Sequence, residues 1–189
     1  LDKHQPAYLT SYSESLEHLA FAWSDPQPWQ GLKVFHAISE MLTPSMRQRI
    51  ERTFPIPIIQ GYGLNEIGIV ALKCPAGRYH VHGEHCLVEL VGDDGQPVAP
   101  GEIGRIVVTA FRNLAMPLIR YDTDDLAQSV EGPCACGRTM PGFGEVIGRY
   151  SRIAYLPDGT LGLVGAVRDA LETMPVEIAQ NLRQFQLHQ

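Results

Sequence analysis

A chain of 189 residues that is 44% hydrophobic and 19% charged can bury the core of one domain, or of one domain and part of another. A net charge of −6 without any basic run argues against a nucleic-acid footprint, and no apolar run approaches the ~20 residues of a membrane-spanning helix. The opening Leu1-Asp2-Lys3-His4-Gln5 has neither a methionine nor a signal-peptide pattern, so the sequence is expected to begin inside a longer, cytoplasmic protein whose four cysteines are thiols or metal ligands.

The first segment reads as α/β. Ser11 and Glu14 stand at capping-box spacing, and Leu16, Leu19, Ala20 and Trp23 follow on one helical face until Asp25-Pro26 stops them. Leu32–Ile38 reads as a strand. Thr43-Pro44 supplies an N-cap and a first-turn proline for a second helix, with Met46, Ile50 and Phe54 on its buried side. A short apolar strand, Ile56–Ile59, then runs into Gln60-Gly61-Tyr62-Gly63-Leu64-Asn65-Glu66-Ile67-Gly68, which reads as a turn. Its glycines allow close ligand approach, its aromatic ring can stack on a base, and its carboxylate can hold a hard cation. That combination suggests a nucleotide site at the carboxyl end of a sheet strand; a tight turn with a packed tyrosine is the plain alternative.

From Tyr79 to Leu156 short strands alternate with turn signals, as in a small antiparallel sheet or barrel. Leu87–Val91 and Ile103–Thr109 flank the turn-rich Gly92-Asp93-Asp94-Gly95-Gln96-Pro97, and Leu118–Tyr121 and Ala127–Val130 are further strands. Ile153–Leu156 with Pro157-Asp158-Gly159-Thr160 reads as a hairpin. A helix follows with Val167, Ala170, Leu171 and Met174 on its apolar face, and Phe185-Gln186-Leu187 looks like the start of another strand.

Two clusters could carry chemistry. Arg120-Tyr121-Asp122-Thr123-Asp124-Asp125-Leu126 crowds three carboxylates into four positions; Asp125 could accept hydrogen bonds from a ribose diol, or the stretch could be a solvated turn. Cys134-Ala135-Cys136 lies between Pro133 and Gly137, where a disulfide across one residue would be strained and shared ligation of a metal suits the spacing better. Cys74, His80, His82, His85 and Cys86 can supply the other half of a four-coordinate site. Glu40 reads as structural rather than catalytic. Ser13, Ser15 and Ser39 lack the glycine-flanked elbow of a nucleophile, and Gly61-x-Gly63 does not continue into the dinucleotide fingerprint.

In order and spacing, these segments resemble the adenylate-forming ligase superfamily, and within it phenylacetate-CoA ligase-like proteins, from about Tyr8 onward. The motifs that carry the resemblance are Tyr62-Gly63-Leu64-Asn65-Glu66, Gly101-Glu102-Ile103-Gly104-Arg105, Met116-Pro117-Leu118-Ile119-Arg120-Tyr121, Asp122-Thr123-Asp124-Asp125-Leu126, Cys134-Ala135-Cys136-Gly137-Arg138 and Gly148-Arg149. Coenzyme F390 synthetase-like and capsule-biosynthesis-like ligases look similar. The resemblance implies an α/β fold with three parts: residues 1–78 from the α/β layer of the adenylation domain, 79–147 as an antiparallel β-subdomain with a zinc site, and 148–189 as the hinge and incomplete start of a lid.

It also implies the chemistry. ATP and a small carboxylic acid, of aryl type, give an acyl-adenylate, and the acyl group passes to coenzyme A. Tyr62, beside Gly63, would stack on adenine, Glu66 would help hold Mg²⁺ as the catalytic carboxylate, Asp125 would bind the ribose hydroxyls, and Arg149 would steady the nucleotide near the hinge. Cys74, His80, Cys134 and Cys136 match the ligands of a structural zinc found in some members. The family's phosphate loop and the lid's catalytic lysine have no counterpart here, Asn65 stands where a hydroxyl residue is usual, Asp124 where glycine is usual, and Ser151 where a hinge aspartate is expected. A non-catalytic nucleotide- or zinc-binding module that keeps the fold is the rival expectation, and a zinc-stabilised interaction domain a third.

Overall fold

The computed structural model describes residues 4, 6–24, 31–150, 153–155 and 161–163. Its chain packs as two compact units, one built from 1–87, 109–119 and 132–143, the other from 88–108, 120–131 and 144–189.

The first unit carries a six-stranded sheet in the order β1-β2-β3-β4-β5-β9. β1 (Tyr8–Tyr12), β2 (Val34–Ile38) and β3 (Ile58–Leu64) are parallel, linked by α1 (Ser13–Ala22) and α2 (Pro44–Thr53). The two helices bury one apolar side each against this half of the sheet, in a core of Leu16, Ala20, Phe35, Met46, Ile50, Phe54 and Ile58. Trp23 and Phe35 both meet Phe54 edge-on, at 5.1 and 5.2 Å between ring centres. The start of α2 follows the sequence expectation, since the Thr43 hydroxyl accepts the Met46 N–H at 3.3 Å with proline in the first turn.

The start of α1 does not. Ser11 lies in β1, and Tyr12, at the N-cap, makes no side-chain cap. Glu40 caps the helix from a distance: its carboxylate accepts the Glu14 N–H at 3.2 Å, and its carbonyl accepts the Ser13 hydroxyl at 3.3 Å. A carboxylate at a helix N-terminus is favoured by the exposed amides and the helix dipole. Glu40 therefore has the structural role expected of it.

The glycine-rich stretch also differs from expectation. Residues 60–64 are not a turn; β3 continues through Leu64 and turns over 65–67 into antiparallel β4 (Gly68–Lys73). Gly61 and Gly63 make room between strands instead. A Cβ on Gly61 would sit 3.0 Å from His36 Nε2, and one on Gly63 would lie 2.8 Å from the Gly68 carbonyl oxygen. The true turn glycine is Gly68, at φ 89°.

Beyond β4, the short strands β5 (Tyr79–Val81) and β9 (Gly142–Phe143) extend this same sheet antiparallel, although they lie within the 79–147 stretch expected to form a separate one. The remaining strands of that stretch form a four-stranded sheet, β10-β8-β7-β6, from β6 (Cys86–Val91), β7 (Ile103–Ala110), β8 (Tyr121–Gln128) and β10 (Val146–Arg149). In place of the two strands expected at Leu118–Tyr121 and Ala127–Val130 there is one, β8, which takes the carboxylate cluster into its interior and leaves Leu118–Arg120 and Ser129–Val130 outside. β11 (Ile153–Tyr155) and β12 (Leu161–Leu163) pair as the expected hairpin. Ser151, the helix through Val167–Met174 and the strand at 185–187 lie outside the described residues. Among the described residues no helix is long and apolar enough to cross a membrane.

Candidate functional site

Asp125 and Arg149 owe their meeting to two interruptions of the second sheet. Between β7 and β8 the register runs Arg105↔Leu126 and then Val107↔Asp122, so Thr123, Asp124 and Asp125 bulge out of step. Asp124 takes φ 64°, a conformation glycine adopts freely and aspartate tolerates, which accommodates the replacement noted at this position. Local bonds hold the bulge: the Thr123 hydroxyl donates to the Ile106 carbonyl at 2.9 Å and accepts the Asp125 N–H at 3.2 Å, while Asp122 accepts the Asp124 N–H at 3.0 Å. On the other flank, Gly148 at φ 143° shifts β10 so that Arg149 pairs with Asp125. The Arg149 Nε lies 3.7 Å from the Asp125 carboxylate, whose side chain is 14% exposed against 57% for the arginine. Asp122, by contrast, is engaged by Arg105. Bulges commonly re-aim side chains in this way beside functional sites.

Tyr62, Gly63 and Glu66 occupy the β3–β4 hairpin of the first unit. Tyr62 is buried, 8% exposed, and its ring meets that of Phe143 at right angles, 5.7 Å between centres. Glu66 is exposed in the turn, and its carbonyl accepts the Asn113 side-chain amide at 3.4 Å.

The tightest assembly of functional groups is the cysteine–histidine centre. Cys74 opens the β4–β5 connection, His80 is the middle of β5, and Cys134 and Cys136 flank Ala135 on the loop leading to β9. Their four ligand atoms all lie within 4.8 Å of one another. Cys74 Sγ is 3.6 Å from Cys134 Sγ, and Cys136 Sγ is 3.2 Å from His80 Nε2. Zn–S bonds of about 2.3 Å put the edge of a tetrahedron at roughly 3.7 Å, so the donors stand about as far apart as a single tetrahedral ion requires. His80 Nδ1 faces the Met140 carbonyl at 3.3 Å; a carbonyl only accepts, so Nδ1 carries the proton and the Nε2 lone pair points at the centre. Burial completes it, with Cys74, His80 and Cys134 at 4%, 2% and 8% exposure.

The thiols differ electrostatically. The Arg138 amide, donating to Cys136, leads the effects that lower that thiol to about 6. The Cys136 amide favours the Cys134 thiolate, but burial and the neighbouring sulfurs outweigh it and raise Cys134. The alternative ligands are not part of the centre. His82 and His85 flank Glu84, at 3.5 and 3.9 Å, and the Cys86 thiol turns to the His82 carbonyl. His82 falls just past β5, and its ring lies against the Glu84 carboxylate.

Sequence reasoning did not single out Phe143 or Gly142. Phe143 stacks on Tyr79 (5.3 Å, 12°) while meeting Tyr62 at right angles. Its signal was slight: a lone Gly-Phe between a cysteine turn and a strand.

No known protein-family profile matches the chain. It is 34% identical over 116 residues to a phenylacetate-coenzyme A ligase of Thermus thermophilus, covering 59% of this chain and 26% of that one. With a phenylacetate-coenzyme A ligase of Aromatoleum evansii it shares 30% over 149 residues, 76% of this chain and 32% of that one. Among solved structures, a 2-hydroxyisobutyryl-CoA ligase in the postadenylation state, in complex with R3-HIB-AMP, superposes with a TM-score of 0.79 at 20% identity, covering 92% of this chain and 39% of that one. The chain thus spans about a third of the length of the curated relatives it matches. In sequence the chain is thus similar to phenylacetate-CoA ligases over part of their length, and in fold it is similar to the 2-hydroxyisobutyryl-CoA ligase.

Proposed function

We propose that the chain is part of an AMP-forming acid–thiol ligase that joins an aryl carboxylic acid to coenzyme A. The observation that carries this reading is the 34% identity with a curated phenylacetate-CoA ligase. In the reaction an acid oxygen attacks the α-phosphorus of ATP and pyrophosphate leaves. The coenzyme A sulfur then attacks the acyl carbon and AMP leaves.

Asp125 would accept both ribose hydroxyls, its carboxylate held ready by the Thr123 bulge, and Arg149 beside it would neutralise that carboxylate and steady the nucleotide. Tyr62 would stack on adenine. Glu66, on its exposed hairpin turn, would help hold Mg²⁺, which when bound offsets the phosphate charge. The four-donor centre would hold one structural zinc; three thiols and an imidazole close the coordination sphere, leaving no open position for chemistry. Residues 148–189 would begin the lid of a cytoplasmic enzyme, and 79–147 would furnish its β-subdomain and the zinc site. The 189-residue chain by itself would make no acyl-adenylate, because no phosphate loop or lid lysine is present in it to stabilise developing charge.

The test is pyrophosphate release by the complete protein across a panel of aryl acids, with and without coenzyme A. Acid-dependent release, with AMP and a thioester as products, is expected. AMP binding without pyrophosphate release from any acid would overturn the ligase reading in favour of a non-catalytic module.

A further inference from the structure

We propose that the cysteine–histidine centre is a positioning device for Tyr62, acting through β9 and the ring of Phe143. The value of this for nucleotide binding rests on the reading of Tyr62 as the adenine platform. The coupling itself is a property of the first unit alone.

The path is short and continuous. Cys134 and Cys136 lie on the loop that delivers β9, and His80 is the β5 residue paired with Gly142. Ligation of all four residues therefore ties the β9 loop to β5 on one side of their ladder. Next along that ladder, Tyr79 pairs with Phe143, and side chains alternate along a strand, so these rings fall on the face opposite His80. There they stack at 5.3 Å. Tyr62 belongs to the same face, since it pairs with Ala71, which in turn pairs with Val81, two residues from Tyr79. Ala71 carries only a methyl group, which leaves room for Phe143 to reach across and meet the Tyr62 ring at right angles, 5.7 Å between centres.

Gly142 makes the geometry exacting. A Cβ there would run into the Tyr79 carbonyl oxygen, so β9 lies against β5 as closely as a glycine allows. β9 is two residues long, joined to β5 by the Tyr79 and His80 pairings and by the Val81 N–H donating to the Pro141 carbonyl at 2.8 Å. So short a strand has little cooperative stability of its own. A bonded loop before it adds the restraint that fixes Phe143, and with Phe143 the ring against which Tyr62 packs.

The experiment is NMR of the 189-residue chain with labelled aromatic rings, zinc-loaded and after chelation. The Trp23 indole, packed on Phe54 in the helix core, reports whether the unit stays folded. Chelation is expected to shift the Tyr62 and Tyr79 ring signals while the Trp23 signal stays in place, and restored zinc to return them. Phe143→Leu, with zinc retained, should shift the Tyr62 signals likewise, and Phe143→Tyr should keep them near their native positions. Unmoved Tyr62 signals after metal loss or in Phe143→Leu would overturn the proposal. So would a Trp23 signal that moves in step with them, because the centre would then only hold the whole unit together. The adenine reading fails separately: a Tyr62→Leu variant of the complete protein that keeps full AMP affinity would sink that reading and leave the ring coupling standing.

Discussion

Removing the metal from the cysteine–histidine centre is expected to lower the melting temperature by about 8–16 °C. The donors come from the β4–β5 connection, from β5 and from the loop before β9, so an ion held there would tie the β4–β5 hairpin to a loop whose own strand, β9, is two residues long. An ion that binds only the folded form stabilises it by RT ln(1 + [L]/Kd), which is about 4 kcal/mol when free zinc is about 1,000 times its dissociation constant. For a chain of this length each kcal/mol moves the midpoint by about 2–4 °C, which gives the range stated. The core of Leu16, Phe35, Ile50 and Phe54 does not touch the centre's ligands through this linkage, so the apo protein should still fold and melt cooperatively. Near-ultraviolet circular dichroism during heating, on protein purified without added metal, then chelated, then restored, measures the shift. Zinc content of about one per chain is expected before chelation, and Cys136→Ser should melt like the chelated sample. A stripped protein that melts with the untreated one would refute the reasoning, and the four residues would be ordinary thiols and a buried histidine.

Three further outcomes follow from particular contacts. In the metal-free chain Cys136 should alkylate with a rate that rises through about pH 6, whereas Cys134 should react only at higher pH than an ordinary thiol, as resolved by mass spectrometry of each peptide. Because the folded Cys136 is depressed from 9.0 to about 6, its thiolate contributes stability that is fully present above about pH 9 and is lost as the pH falls to about 6, so acid should weaken the apo fold across that window. Thr43→Ala, which deletes the α2 cap, should cost about 1 kcal/mol in urea unfolding without altering zinc content. In the complete protein, Asp125→Ala should weaken binding of a non-hydrolysable ATP analogue by calorimetry, at about 1.5–3 kcal/mol per lost charged hydrogen bond, and more than Asp122→Ala or Asp124→Ala; equal affinities would reduce the cluster to a surface feature.

The parts of the molecule most legible in the sequence were those specified by local chemistry. Thr43-Pro44 marks a helix start because hydroxyl and pyrrolidine both suit the free amides there, and Met46, Ile50 and Phe54 are buried as their spacing requires. The zinc-like set was legible because few other arrangements suit a Cys-x-Cys turn, although choosing Cys74 and His80 over His82, His85 and Cys86 took the family resemblance. What failed was decided by distant partners. Nothing near Ser11 reveals that Glu40 caps the following helix, and the glycines at 61 and 63 look like turn residues until His36 and Gly68 are seen to fill their space. The aspartate run looked like a loop because polar residues rarely build a strand interior; here Thr123 reaches a β7 carbonyl and the bulge absorbs the rest. The short strands β5 and β9 carry too few residues for any pattern to tell which sheet they join.

The most direct single measurement is mass spectrometry of the complete protein mixed with ATP, Mg²⁺ and an aryl acid in the absence of coenzyme A. A retained acyl-AMP is expected, discharged to the thioester when coenzyme A is added, and lost when Asp125 is replaced by alanine. An acyl phosphate accompanied by ADP, or no activated acid with any member of the panel, would contradict the assignment to AMP-forming acid–thiol ligation.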